Sequence, residues 1–216
     1  MKTNCLETRP NWMADRKDEL GSKRFRDIFI PGTHNSGSYA INEDPTFDNI
    51  ISKYVVCQDE DILAQLIYGV RYLDIRVGYY SSMDPVWWVN HGMIRVTKLQ
   101  KVIKDVKTFL DNTQEIVIFD IQEFPIGFGT DLTIHAQLVA YLETELSDYL
   151  LPKSYGWSAS LETIWASGKR LIIGYDESDV VPLYDTIWPC VSHQWGNVRD
   201  ISSLYTYLNG IETSAT

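Results

Sequence analysis

The sequence predicts an α/β fold built on parallel strands. Short apolar runs of strand length alternate with stretches whose apolar residues recur at helical spacing, the pattern of strand–helix–strand units. The chain has 216 residues, 44% apolar and 22% charged, enough for one globular domain with a substantial core. It shows no repeat of fixed period and no low-complexity tract, and its glycines and prolines are scattered rather than gathered into a linker.

The elements follow in order. Residues 24–30, RFRDIFI, form the first expected strand, closed by Pro31-Gly32. In EDILAQLIYG (60–69), Ile62, Leu63, Leu66 and Ile67 share one helical face before Gly69 stops the helix. VRYLDIRV (70–77) is the second strand and PVWWVNHG (85–92) the third. Thr97-Lys98-Leu99-Gln100 has the form of a capping box, and Leu99, Val102, Ile103, Val106, Phe109 and Leu110 then recur as a buried helical stripe. EIVIFDIQ (115–122) is the fourth strand, followed by a long helix over 131–150 and a short one over 160–168. The fifth strand covers 169–176 and the sixth 186–192, with a last helix near 200–209.

Composition excludes several functions. The formal charge is −10, from 19 Lys plus Arg against 29 Asp plus Glu, and no basic stripe offsets it, which argues against nucleic-acid binding. The same balance repels anionic lipid surfaces except where a local site overrides it. MKTNCLETRPNW at the N-terminus lacks the apolar centre of a secretory signal, and no run approaches the ~18 apolar residues that span a bilayer, so a soluble chain is expected. Cys5, Cys57 and Cys190 have no paired metal-ligand spacing, and their odd number suggests isolated, unreactive, reduced thiols in a cytosolic setting.

His34, Asp74, Arg76, His91, Gln122, Glu123 and Asp176 all fall at or just past the C-terminal ends of expected strands, the rim where α/β folds place their functional groups. Two imidazoles facing a phosphate can divide phosphoryl transfer, one taking a proton from an attacking hydroxyl and one giving a proton to the leaving oxygen. In LDIR, Asp74 and Arg76 stand two apart on a strand and so project to one side. Arg76 can fork onto nonbridging phosphate oxygens while Asp74 orients a catalytic group; the alternative is a structural pair at the strand end. Asn35 suits either a substrate oxygen or a local Asx-turn. Along FDIQEF, alternation puts Asp120 and Gln122 on one face and Glu123 on the other. His135 is expected to be structural and His193 stays open, while Trp87 and Trp88 should pack one inward and one outward, an exposed indole being able to meet lipid.

PGTHNSGS, then GVRYLDIRVG, the NHG of 90–92 and EIVIFDIQEF, in this order, resemble the X region of phosphatidylinositol-specific phospholipase C. The nearer likeness is to X-domain-containing proteins without the regulatory modules of the larger signalling enzymes. It covers roughly residues 20–195, with an N-terminal extension over 1–19 and a C-terminal helix and tail over 196–216. The resemblance implies a TIM-like (β/α) barrel, incomplete at the C-terminus with five to six strands present, that cleaves the diester between inositol phosphate and diacylglycerol.

By that resemblance His34 is the general base on the inositol 2-hydroxyl and His91 the general acid for the diacylglycerol oxygen. Asp74 and Arg76 complete the catalytic set, with Asn35, Gln122, Asp120, Glu123 and Asp176 expected at the substrate. Signalling members hold calcium with an Asn and several carboxylates, but Arg76 and Gln122 stand where two of those carboxylates should be. Bacterial members carry Arg at the position of Arg76, so calcium-independent chemistry without a cofactor is expected. The expected partners are phosphatidylinositol or a related phosphodiester lipid and, transiently, a membrane surface reached from the cytoplasm; an open barrel edge could also support self-association. Two other readings remain: a noncatalytic relative that binds phosphoinositide or inositol phosphate, and a glycerophosphodiester phosphodiesterase. Enzymes of the last kind favour an acidic-x-acidic metal pair where this chain has Asp74-Ile75-Arg76.

Overall fold

The computed structural model describes residues 7–39, 54–130, 132–194 and 196–214; Cys5 lies outside them. The strands are β1 (Gly32–Thr33), β2 (Tyr72–Tyr79), β3 (Trp87–His91), β4 (Ile94–Lys98), β5 (Val117–Ile126), β6 (Leu171–Tyr175) and β7 (Ile187–Pro189). The helices are α1 (Lys17–Leu20), α2 (Ile62–Ile67), α3 (Leu99–Asn112), α4 (Leu132–Leu146), α5 (Leu161–Ser167) and α6 (Ile201–Ser214). β1, β2, β5, β6 and β7 pair side by side, all parallel, as the sequence predicts. Among the described residues the sheet stays open, because β1 pairs only with β2 and β7 only with β6. It is a TIM-like barrel left incomplete.

Two strands depart from the parallel plan. β3 runs antiparallel to β2, with Val77 opposite Val89 and Tyr79 opposite Trp87, and β4 returns antiparallel beside it. The two form a hairpin that turns at Gly92, whose φ of 53° suits glycine. The expected capping box at 97–100 therefore does not form: Thr97 is buried in β4, and Lys98 is the N-cap of α3 with no side-chain capping hydrogen bond. The first strand is also displaced from 24–30 to Gly32–Thr33. Residues Phe25–Asp27 form a 3-10 turn instead, where Arg24 grips Asp27 at 2.6 Å and Phe25 drops into the core. An i,i+3 ion pair closes a turn that the apolar alternation did not reveal.

Where periodicity is strong the elements fall as expected. Leu99, Val102, Ile103, Val106, Phe109 and Leu110 are all buried on the inner face of α3, each stabilising the fold by about 1.5–3 kcal/mol as an upper figure. Asp61 caps α2 by accepting from the Ala64 amide, and Ser160 caps α5 through Thr163. Gly168, at φ 71°, ends α5 in the left-handed conformation. Two apolar clusters result. One lies between sheet and outer helices, and the other joins Ile118, Ile172 and Trp188 to Met13, Phe25, Leu161 and Trp165. Trp87 and Trp88 are both buried, contrary to the inward-outward expectation; Arg95 lies 4.5 Å over the Trp88 ring and closes it off from solvent.

The N-terminal residues are stitched to the barrel floor by one buried ion pair. Arg71 and Glu115 are fully buried and meet at 2.7 Å. The Arg71 guanidinium also donates to the carbonyls of Leu66, Val70, Arg9 and Pro10, and Glu115 accepts from the Met13 and Ala14 amides. Burial pulls the Arg71 pKa below its usual value, with Glu115 opposing that shift.

His135 is structural, as its place in an amphipathic helix suggests. It is buried among Phe124, Phe128 and Tyr175, and its Nδ1 lies 2.8 Å from the Tyr175 hydroxyl. Burial lowers its pKa, so the unfolded chain binds the proton more readily than the native one. His135 therefore costs nothing above the ordinary value of about 6.5 and destabilises the fold as pH falls below it. Thermal melts between pH 8 and pH 5 should show a steeper acid-side decline in the parent than in His135→Gln, which keeps a partner for Tyr175 and cannot be charged. Equal slopes would contradict this account. Among the described residues no helix is long and apolar enough to cross a membrane.

Candidate active site

The loop after β1 is folded around one carboxylate. Asn35 adopts φ 49°, a left-handed conformation that asparagine tolerates better than most residues. Its backbone N–H then donates to Asp74 Oδ2 at 3.0 Å. Ser36 secures the loop in both directions, since its N–H donates to the Asp74 carbonyl and its Oγ accepts from the Asp74 N–H. Thr33 and Gln65 brace it from below, Thr33 Oγ1 donating to Gln65 Oε1 at 2.7 Å and Gln65 Nε2 donating to the Ser36 carbonyl.

This geometry fixes the His34 ring. Nδ1 lies 2.8 Å from Asp74 Oδ2, so Nδ1 carries the proton that is donated to the carboxylate. Nε2 lies 3.1 Å from Asn35 Nδ2 and accepts from it, so the lone pair that could take a substrate proton resides on Nε2. Asp74 is 1% exposed, out of reach of a substrate but well placed to orient the imidazole. The same Oδ2 lies 3.7 Å from Arg76 Nη2, and Arg76 Nη1 lies 3.1 Å from Glu123.

His91 arrives at the tip of the β3–β4 hairpin. Its strand runs against the barrel, so the rule of upward C-terminal ends does not position it; the turn does. Nδ1 donates to the Val55 carbonyl at 2.9 Å, leaving Nε2 as the nitrogen for exchange with a ligand. The Val55–Gln58 stretch also ties to the first loop, with Gln58 Nε2 donating to the His34 carbonyl and the Cys57 N–H to the Ser38 carbonyl at 2.7 Å.

His34, Asn35, Arg76, His91, Gln122, Glu123, Asp176 and His193 line one pocket of about 660 Å³, within the range of small-molecule sites. Gln122 and Glu123 both reach it despite the expected alternation. Ile75 pairs with Ile121 but Arg76 with Glu123, so Gln122 is an extra residue in β5, and this bulge turns two successive side chains towards the site. Asp120, expected at the substrate, is fully buried beneath the pocket instead. There its Oδ2 accepts from Tyr72 Oη, Gln122 Nε2 and the Val191 N–H, and burial raises its pKa against those hydrogen bonds. Asp176 holds Cys190 at 3.3 Å, and burial together with this carboxylate pushes the thiol up to about 12.

Sequence reasoning missed Tyr72, whose hydroxyl joins Asp120 to His193 Nε2 at 2.6 Å. Extending the period-two series of Arg76 and Asp74 back by one step would have found it.

The donor set does not fit a calcium ion, which takes six to eight oxygens. Asn35 Oδ1 and Asp74 Oδ1 are buried without a partner, but the Arg76 guanidinium stands beside Asp74 and Gln122 replaces an anionic ligand. Among the described residues no three His, Cys, Asp or Glu side chains group as metal ligands.

Fold and pocket together define an α/β barrel of the phospholipase C type. Residues 28–166 match the family described as phosphatidylinositol-specific phospholipase C, X domain, and the chain belongs to that family. It is 25% identical over 226 residues to PI-PLC X domain-containing protein 1 of Danio rerio, covering 95% of this chain and 70% of that protein. It is 24% identical over 228 residues to the variant-surface-glycoprotein phospholipase C of Trypanosoma brucei brucei, covering 94% of this chain and 59% of that one. A solved structure of the Staphylococcus aureus phosphatidylinositol-specific phospholipase C superposes with a TM-score of 0.60 at 26% identity, over 78% of this chain and 53% of that enzyme.

Proposed function

We propose that this protein is a phosphoric diester hydrolase that cleaves phosphatidylinositol to diacylglycerol and a cyclic inositol phosphate. The observation that supports the reading best is the convergence of His34, His91 and Arg76 on one pocket, with His34 held by Asp74 so that Nε2 can accept a proton. His34 Nε2 takes the proton of the inositol 2-hydroxyl as its oxygen attacks phosphorus. His91 Nε2 gives a proton to the departing diacylglycerol oxygen, and Arg76 stabilises charge on the nonbridging oxygens. On this reading Asn35, Gln122, Glu123 and Asp176 contact the headgroup, and Asp120 acts through Gln122 and Tyr72. The substrate is met at a membrane surface from the cytoplasmic side.

Release of inositol phosphate from phosphatidylinositol vesicles, assayed with and without chelator, tests this directly. Activity should be unchanged by chelator and should fall by about 10²-fold in Arg76→Lys, which keeps the charge and loses the fork. Loss of activity with chelator in the parent would overturn the metal-free mechanism. The open sheet favours a second reading, a noncatalytic inositol phosphate binder, since among the described residues no strand joins β7 to β1 to finish the wall. On that reading inositol 1-phosphate binds in an Arg76-dependent way and no cyclic product forms.

A further inference from the structure

His193 has no evident role from its place in the sequence, but the fold gives it a defined set of partners. Its ring lines the pocket, and its Nε2 lies 2.6 Å from the Tyr72 hydroxyl. That hydroxyl has a single proton and donates it to Asp120 Oδ2 at 2.8 Å. Oδ2 also accepts from Gln122 Nε2 at 2.6 Å and from the Val191 N–H at 3.0 Å, so it has no room for a proton of its own. Tyr72 Oη is therefore an acceptor towards His193. Nε2 carries the proton, and the lone pair sits on Nδ1, which has no partner among the described residues. Gln122 is fixed by the same carboxylate. Its Nε2 protons go to Asp120 Oδ2 and to the Val191 carbonyl at 2.9 Å, and a reversed amide would set oxygen against both, so Oε1 is the atom left for the pocket. The sheet makes room for this support: Gly174 pairs with Asp120, and a Cβ on it would collide with Asp120 Oδ1.

We propose that His193 Nδ1 and Gln122 Oε1 are a pair of hydrogen-bond acceptors that select the headgroup by its ring hydroxyls, with Tyr72 and Asp120 as the positioning residues that set the pair. The proposal rests on the phosphodiesterase reading of the pocket and names the part of the substrate that this wall takes. Both side chains touch the Tyr72 hydroxyl, Gln122 Nε2 at 3.4 Å and His193 Nε2 at 2.6 Å, so the two acceptors are neighbours. A polyol ring offers a donor to each. A headgroup without hydroxyls leaves both atoms unpaired, and that loss is what discriminates against it. His193 takes no part in proton transfer, which stays with His34 and His91.

Nitrogen NMR of the His193 ring, assigned by its absence in His193→Ala, tests the positioning at about pH 8, above the ordinary imidazole range. The parent should show a protonated Nε2 and a bare Nδ1, and Tyr72→Phe should lose that preference. Calorimetry on the full chain then measures binding of myo-inositol 1-phosphate and of its analogues that each lack one ring hydroxyl. His193→Ala should weaken myo-inositol 1-phosphate about fivefold, and the loss should vanish for the analogue without the hydroxyl that Nδ1 takes. Tyr72→Phe should repeat this pattern at smaller size, and His193→Gln, which restores an acceptor, should recover part of the affinity. A proton on Nδ1 in the parent would overturn the proposal, as would an equal loss across all analogues or an affinity that ignores His193→Ala. If the parent binds myo-inositol 1-phosphate but releases no cyclic product from phosphatidylinositol vesicles, hydrolysis fails alone and the analogue pattern still decides the acceptor pair. If the parent cleaves vesicles and His193→Ala leaves KM and kcat unchanged, the acceptor pair fails alone. A parent that neither binds nor cleaves ends both.

Discussion

Alanine in place of His34 or of His91 is expected to lower cyclic inositol phosphate release by about 10²–10⁴-fold while circular dichroism stays unchanged. On the proposed mechanism each imidazole serves one proton transfer. His34 has its Nδ1 proton committed to Asp74 at 2.8 Å, and His91 has its Nδ1 proton committed to the Val55 carbonyl at 2.9 Å, so each presents only Nε2 to a ligand. Removing either ring takes away a partly exposed group without opening a cavity in the apolar core, so folding is spared. A short-chain ester with a good leaving group separates the two: it should rescue His91→Ala more than His34→Ala, because only the acid step is relieved. Residual activity within about threefold of the parent in either variant would end the paired assignment.

The largest expected effect on stability lies at the opposite end of the barrel. Glu115→Ala should destabilise the protein by about 3–5 kcal/mol, because it strands the Arg71 charge where no water reaches it. For a chain of this size that corresponds to a fall in Tm of roughly 6–20 °C. Arg71→Met should cost at least as much, since the carbonyls of Arg9, Pro10, Leu66 and Val70 lose their donor together. Calorimetry measures both, and a fall of less than about 3 °C in either would show that the ion pair can be dispensed with.

The catalytic candidates were legible because their chemistry is local. His34 and Asn35 stand in a glycine-flanked turn, and Asp74 and Arg76 are two apart on a strand, so their placement followed from chain geometry alone. Helices with a full apolar stripe, such as α3, were legible for a similar reason: burial repeats with the helical period. What stayed hidden depends on pairing. Strand direction is set by the partner, so nothing in PVWWVNHG says that β3 runs downwards or that Thr97 belongs to a returning strand. The Gln122 bulge is likewise a mismatch between two strands and has no signature in either one. Val55, Gln58 and Cys57 could not be linked to His34 and His91 from sequence, because the contacts join segments up to 36 residues apart.

A single oxygen atom, Asp74 Oδ2, is shared by the His34 ring, the Asn35 backbone and, at longer range, the Arg76 guanidinium. Damage to any one of these groups redistributes the charge felt by the other two. Energies measured for paired substitutions at His34 and Arg76 should therefore fall short of the sum of the single effects. Ranking the residues by individual importance then has little meaning, because the proposed base and the proposed anion clamp form one thermodynamic unit.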